Sequence, residues 1–374
     1  MLVGVPKEIK DHEYRVGLTP AGVHALKSRG HETVVEKGAG TRVGFADADY
    51  QSAGARIAGN AAAVYEADMV VKVKELQPAE YRLVRRGQIL FAYLHLAPDP
   101  DLLEAMLASG VSGIAYETVT DERGGLPLLA PMSRIAGRLS VQAGAWALQM
   151  ANGGSGVLLG GVAGVPPARV VVIGGGASGS HAAQMAAGVG ADVTVLDIDT
   201  DRLAALDEMH CGRVKTCYSE PLAIAEHVAS ADLVIGALLV PGKLAPKLIS
   251  RALLKRMRRG SVLVDIAIDQ GGIAETSRPT SHSEPLFIEE GVVHYCVPNM
   301  PSAVARTATL ALTHATYPYA LELADRGLAA LSDDAGLAQG LQLHAGYVTH
   351  RGLAEDTGRV YRSYADVARE MRSA

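Results

Sequence analysis

VVVIGGGASGSHAAQMAAGVGADVTVLD, residues 170–197, is the stretch that decides the fold. Its first four residues are an unbroken apolar, β-branched run, the mark of a buried strand. They pass directly into Gly174-Gly175-Gly176-Ala177-Ser178-Gly179, which fits G-x-G-x-x-G. A helical pattern opening with Ser180 follows. A second strand pattern, 193–197, then ends in Asp197, 18 residues beyond Gly179. A dinucleotide-binding strand–turn–helix–strand unit places an acid about 20 residues past its glycines. The glycines serve a tight turn, close backbone approach to a pyrophosphate, and helix-to-strand packing. The helix N-terminus offers free N–H groups and a positive dipole to the phosphates. Asp197 would accept both ribose hydroxyls and repel a 2′-phosphate, so NAD is expected over NADP.

Outward from this unit, short strand patterns alternate with helical ones in both directions, which implies parallel sheets. Before it they fall at 2–5, 32–36, 69–73, 88–93 and 111–115, and after it at 233–235, 262–266 and 292–295. Thr19-Pro20 opens a helix that closes near Gly30, and 99–109 forms another. A long helix opened by Ser133 carries Ile135, Leu139, Ala143, Trp146 and Met150 at helical period, and is expected to pack between two domains. A glycine-rich run, 153–168, leads into the nucleotide unit. From residue 304 onward the chain reads as helical, at 304–324 and 360–371, and is expected to return over the first unit. The fold class is therefore α/β: two Rossmann-like parallel-sheet domains joined by a long helix. The first, substrate domain is discontinuous (1–130 and 304–374), and 131–303 forms the NAD-binding domain.

Composition narrows the function. The 374 residues suit two domains of roughly 150 residues each. With 48% hydrophobic and 20% charged residues, disorder and a collagen-like chain are excluded. Net charge is −5 and no face is basic, which argues against nucleic acid. The densest cationic cluster, Arg251, Lys255, Arg256, Arg258 and Arg259 before Gly260, reads as the last turn of a helix. Cys211, Cys217 and Cys296 give neither a disulfide framework nor zinc spacing. Lys7, Glu8 and Lys10 precede any apolar run, so no signal peptide is expected. No stretch has the length of a membrane span, and the chain is expected to be cytoplasmic.

In open parallel sheets, ligands gather beyond the carboxyl ends of strands. Arg15 lies in the loop after 2–5, Lys74 directly follows 69–73, and His95 follows 88–93. Asp269 follows 262–266 within DIAIDQGG. Singly, Arg15 and Lys74 could be solvated charges and His95 a capping or core histidine. Together, a cation pair and an imidazole from one domain and an acid from the other point to chemistry on the nicotinamide side. The histidines show no HExxH or paired-ligand spacing, so no metal is expected.

At these residues the chain resembles the bacterial L-alanine dehydrogenases, of the alanine dehydrogenase and pyridine nucleotide transhydrogenase family, over essentially its full length. The matching segments are VGVPKEIKDHEYRVGLTPAGV from Val3, VKVKE from Val71, YLHLAPD from Tyr93, LPLLAPMS from Leu126, DIAIDQGG from Asp265 and NMP from Asn299. The resemblance implies NAD-dependent, reversible oxidative deamination of L-alanine to pyruvate and ammonium, by a homohexamer. It implies that Arg15 and Lys74 hold the substrate carboxylate, with Tyr93, Asn299 and Met300 as further substrate-site positions, and that His95 and Asp269 are the catalytic pair. Ser133, Ala177, Ser178, Asp197, Arg202 and Ser219 would contact NAD beside the three glycines. Leu238, Leu239, Ile266, Ala267, Ile268, Asp269, Arg278, Val297, Pro298, Asn299 and Met300 would complete its site. The chain departs from the family pattern at Ser180-His181, Arg134, Ser302 and Ala305.

Two rival readings share the two-domain plan. One is the NAD-binding subunit of a proton-pumping transhydrogenase, which lacks the Leu94–Ala97 segment and differs where this chain has PMSRIAGR. The other is a non-catalytic NAD-binding protein, which would keep Asp197 and the glycines without needing Lys74, His95 and Asp269 together.

Overall fold

The computed structural model describes residues 1–238 and 244–373. It divides into two compact units, Met1–Pro131 with Val304–Ala374, and Met132–Ala303.

The first unit carries β1 (Leu2–Val5), β2 (Glu32–Glu36), β3 (Arg56–Ala58), β4 (Met69–Val71), β5 (Ile89–Ala92) and β6 (Ser112–Ala115). They lie parallel in the order β6-β5-β4-β1-β2-β3. The chain winds one way from β1 and then the other way from β4, so the carboxyl ends of β1 and β4 open a crevice at a topological switch point. Thr19 caps the helix Pro20–Ser28 by accepting from the Gly22 N–H, as the Thr-Pro pair predicts. A hairpin, Leu341–His344 with Tyr347–Val348, extends the sheet antiparallel to β6. The sequence reading expects only helix there. The hairpin strand beside β6 hides its polar residues: Gln342 donates to Thr118 Oγ1 at 2.8 Å, and Ser112 Oγ meets His344 Nδ1 at 2.8 Å. Buried but satisfied polar groups leave no alternating pattern to read.

The second unit carries β7 (Arg169–Ile173), β8 (Asp192–Asp197), β9 (Val214–Tyr218), β10 (Leu233–Gly236), β11 (Val262–Asp265), β12 (Leu286–Glu289) and β13 (Val292–Tyr295). Their order is β12-β13-β11-β10-β7-β8-β9, parallel except for β12. The switch point falls between β7 and β10. The sequence reading misses β3, β9 and β12. β9 and β12 are sheet edges with partly exposed faces, so neither shows a closed apolar run.

Two further expectations are corrected. The long helix spans Ala130–Ala147, opening before Ser133, and the large apolar stripe is not its buried face. Trp146 and Met150 are 42% and 75% exposed. Of the stripe only Ala143 is buried, beside Met132, Ala136, Gly137, Ser140, Val141, Gly144 and Ala147. Small side chains let the backbone approach closely: a Cβ on Gly137 would fall 2.0 Å from the Ser178 carbonyl oxygen. Likewise, the helix near the basic cluster is only Arg251–Leu254, so most of those cations lie beyond it. Carboxylates engage them: Arg251 pairs with Glu289 and Glu290, and Arg258 with Asp232.

Candidate active site

In the first unit, three of the sequence-derived site residues surround one ring. Tyr93, just past β5, stacks on His95 with centroids 6.0 Å apart and planes within 16°. The Lys74 ammonium lies 6.0 Å from the same ring centroid. Arg15 is near enough for its charge to act on the Tyr93 phenol, although burial is the larger influence and raises that phenol's pKa. The Tyr93 hydroxyl donates to the Leu128 carbonyl at 2.6 Å, so its ring is a fixed wall.

Each side chain is held by its own support. Arg15 is 2% exposed and lies in a bidentate pair with Glu13: Nε donates to Oε1 at 2.7 Å and Nη2 to Oε2 at 2.6 Å. Burial opposes its charge, but Glu13 outweighs burial and raises the guanidinium pKa further. The loop seats on β4 through Gly17, where a Cβ would stand 2.4 Å from the Val71 carbonyl oxygen. It also bounds a cavity of about 290 Å³ lined by Lys10, His12, Tyr14, Arg15 and Arg42 among others. His95 is exposed and adopts φ 45°, a left-handed conformation uncommon for a residue with a side chain. Glu117 holds this bend by accepting the N–H groups of Leu94 and His95 at 3.1 and 2.8 Å.

Beneath these residues lies an ionic cluster that sequence reasoning missed. Lys72 is fully buried and donates to Glu8 at 3.1 Å and Glu80 at 2.9 Å. Glu8 also accepts the Val73 N–H at 2.7 Å, and Tyr65 donates to Glu80 at 2.8 Å. Burial raises the pKa of Glu8 against the pull of Lys72. The same two carboxylates outweigh burial at Lys72 and raise its pKa. Glu75 adjoins Lys74 and pairs with both Lys74 and Lys10. Glu8 and Glu75 stand in plain view in PKEIKDHE and VKVKE, and Glu80 in QPAEYR, but nothing local reveals that they are buried.

In the second unit the glycine turn sits at the carboxyl end of β7. The helix spans Ala177–Gly188 with Gly176 as N-cap, so it opens three residues before Ser180. Gly174 has φ +99°, and a Cβ on Gly179 would lie 1.7 Å from the Gly174 carbonyl oxygen, so both positions demand glycine. A Cβ on Gly176 meets nothing within 4 Å. The turn therefore presents open space before free N–H groups, and its residues fit a pyrophosphate. Asp197 ends β8 and already accepts two backbone N–H groups, from Gly175 at 2.5 Å and Asp199 at 2.9 Å.

The remaining candidates of this unit lie on several elements. Arg202 and Leu238 reach the glycines, Arg202 at Gly175 and Leu238 at Gly174. Ser219 donates its N–H to the Asp197 carbonyl at 2.9 Å. Ser133 lies one turn ahead of Gly137, whose helix crosses Ser178. Ile266, Ala267, Ile268 and Asp269 form a 3₁₀ turn after β11, on which Asp269 is exposed. Asp265 anchors that turn from a fully buried position, accepting from Ala267, Ile273 and Ser277. Burial raises its pKa against those bonds. Val297 and Met300 are buried, Pro298 is partly so, and Asn299 turns the chain at φ 57°. The Arg278 guanidinium stacks 4.0 Å from the Phe287 ring. Leu239 lies outside the described residues. Of the departures, Ser302 is buried and bonds His282 at 2.9 Å, and His181 takes a bond from Arg138 at 3.2 Å. Among the described residues, no group of three or more His, Cys, Asp or Glu could hold a metal ion, and no helix is long and apolar enough to cross a membrane.

Two sheets that share one order of parallel strands, one with a dinucleotide turn and one with cations and an imidazole at its strand ends, define a two-domain nucleotide-dependent α/β protein. Comparison with known proteins makes this specific. Residues 4–136 match the family model described as "Alanine dehydrogenase/PNT, N-terminal domain" and residues 140–351 match its C-terminal counterpart. The chain belongs to the alanine dehydrogenase/PNT family. It is 55% identical over 363 residues to an alanine dehydrogenase of Halomonas elongata, covering 96% of this chain and 98% of that one. It is 53% identical over 358 residues to an alanine dehydrogenase of Mycolicibacterium smegmatis, covering 95% and 96%. A solved L-alanine dehydrogenase superposes with TM-score 0.94 at 51% identity, covering 96% of this chain and 99% of that one. A transhydrogenase from Sinorhizobium meliloti is more distant, with TM-score 0.79 and 27% identity over 94% and 99%. The family implies a pyridine nucleotide cofactor.

Proposed function

We propose that this protein is an NAD-dependent alanine dehydrogenase, which deaminates L-alanine oxidatively and reversibly to pyruvate and ammonium. The observation that carries the reading is the grouping of Arg15, Lys74 and His95 around Tyr93, in a chain alike to alanine dehydrogenases over nearly its whole length. The resemblance further supports a cytoplasmic homohexamer.

The glycine turn and Asp197 would hold the dinucleotide, which would supply the hydride acceptor. Arg15 and Lys74 bind the alanine carboxylate, and Lys74 polarises the carbonyl that develops at Cα. A guanidinium stays charged at any working pH and suits a planar carboxylate. His95 takes a proton from the substrate ammonium, so the nitrogen lone pair can form the C=N bond as hydride departs from Cα. Asp269 orients the water that adds to the resulting iminium carbon. One water proton passes to the nitrogen and His95 returns its own, and as the carbinolamine hydroxyl gives its last proton to solvent the C–N bond breaks, leaving pyruvate and ammonium. An imidazole is the side chain best able to take and return protons near neutral pH.

The test is an assay of reduced nicotinamide absorbance with a panel of amino acids, and with pyruvate plus ammonium in reverse. L-Alanine should be oxidised fastest. His95→Ala should lower kcat by about 10²–10⁴ with dinucleotide binding intact, and Arg15→Ala should chiefly raise the KM for alanine and pyruvate. A folded wild-type protein without alanine-dependent reduction would sink the reading.

A further inference from the structure

Glu75 has no role in the chemistry described above, yet it is a buried acid beside it. It is 7% exposed and wedged between two lysines from different segments. One carboxylate oxygen accepts from Lys10, in the loop after β1. The other, Oε2, lies 3.2 Å from the Lys74 ammonium in an ion pair whose geometry falls short of a hydrogen bond. Oε2 is buried and has no hydrogen-bond partner. An unsatisfied buried carboxylate oxygen is costly unless a positive charge compensates it.

We propose that Glu75, tethered by Lys10, is a positioning residue that keeps the Lys74 amine charged and aimed. This rests on the reading of the Tyr93 cluster as the site of alanine chemistry and deepens it. The groups facing Glu75 are Lys10 from the β1 loop, Lys74 beside it, His95 from the loop after β5, and Tyr81 from the segment ahead of β5. Burial disfavours the charge on Glu75, but Lys74, Lys10 and His95 outweigh burial and hold its carboxyl at about 2. Interaction of this kind is mutual: an anion stabilised by a cation stabilises that cation's proton. Lys10 thus acts at a distance, because it occupies one oxygen of Glu75 and leaves the other for Lys74.

Glu75→Gln keeps the shape and removes the charge. In this variant the KM for alanine and pyruvate should rise roughly tenfold or more while kcat changes less. Glu75→Asp should restore part of this effect, and Lys10→Met should reproduce it in weaker form. A purely structural loss would lower kcat with KM unmoved, and an unmoved KM overturns the proposal. Acetylation of the free protein by acetic anhydride, followed residue by residue by mass spectrometry, reads Lys74 without any substrate. Lys74 should react several-fold faster in Glu75→Gln and Lys10→Met than in the wild type, with exposed Lys255 as internal standard. Equal rates overturn the proposal. Faster Lys74 labelling in a protein inactive toward alanine would retain it while sinking the catalytic reading.

Discussion

Asp197 illustrates how one side chain carries two duties. A carboxylate at the end of the second strand is the expected ribose acceptor, but its two oxygens also hold the N–H groups of Gly175 and Asp199. Its loss should therefore loosen the glycine turn as well as remove a charged acceptor. Asp197→Ala should reduce kcat/KM with NAD roughly tenfold to a hundredfold, the equivalent of a charged hydrogen bond of about 1.5–3 kcal/mol. Use of NADP should fall less, because the charge that repels a 2′-phosphate goes with it. Parallel kinetics with the two cofactors check this, and an unchanged ratio would place the ribose acceptor elsewhere. At this scale the sequence exposes Arg15, Lys74, His95 and Asp197, since each follows a recognisable strand. It conceals Glu8, Glu13, Lys72 and Glu75, because an acid or lysine in a loop reads as solvated until its burial is known.

Among the elements, the helix Ala130–Ala147 departs furthest from its sequence pattern. Periodicity selects the large side chains as the inner face, whereas mostly glycine and alanine occupy it. The gain is proximity: Gly137 touches the Ser178 carbonyl and Gly144 the Leu233 side chain, distances that only a missing Cβ allows. Gly137→Ala should destabilise the protein by about 1–3 kcal/mol or more, since the Cβ would meet rigid backbone. Because Ser178 belongs to the glycine turn, dinucleotide affinity should fall with it. Chemical denaturation and equilibrium dinucleotide binding check the pair, and a variant within about 0.5 kcal/mol of wild type would show that the helix can shift. The hairpin Leu341–His344 with Tyr347–Val348 teaches the same lesson. Its buried Gln342 and His344 look polar in sequence and become core once Thr118 and Ser112 answer them.

Over the whole molecule, buried histidines set the acid tolerance. His294 and His344 lie in the second and first units, and burial is the leading cause that lowers the pKa of both. The unfolded chain takes up protons at these sites near 6.5 while the fold resists them. Their stabilising effect is therefore present above about pH 6.5 and is lost as pH falls toward the folded value, by at most about 1.4 kcal/mol per pH unit each. Glu8 and Asp265, raised by burial, act in the opposite direction: the fold takes their protons first, which offsets the loss as pH nears the carboxylate range. The melting temperature should be lower at pH 5.5 than at pH 7.5, and His294→Gln should flatten that slope. A melting temperature equal or higher at pH 5.5 would refute the assignment. The sequence by itself determined the alternation of strand and helix, the dinucleotide turn and the polar residues at strand ends, because turn chemistry and periodicity are written in neighbouring residues. Only the tertiary structure decided which acid answers which cation, which helix face is inner and which edge strands complete each sheet. Glu8 and Lys72 are 64 residues apart and Lys10 and Glu75 are 65 apart, so their pairing exists only after the sheet has brought β1 beside β4.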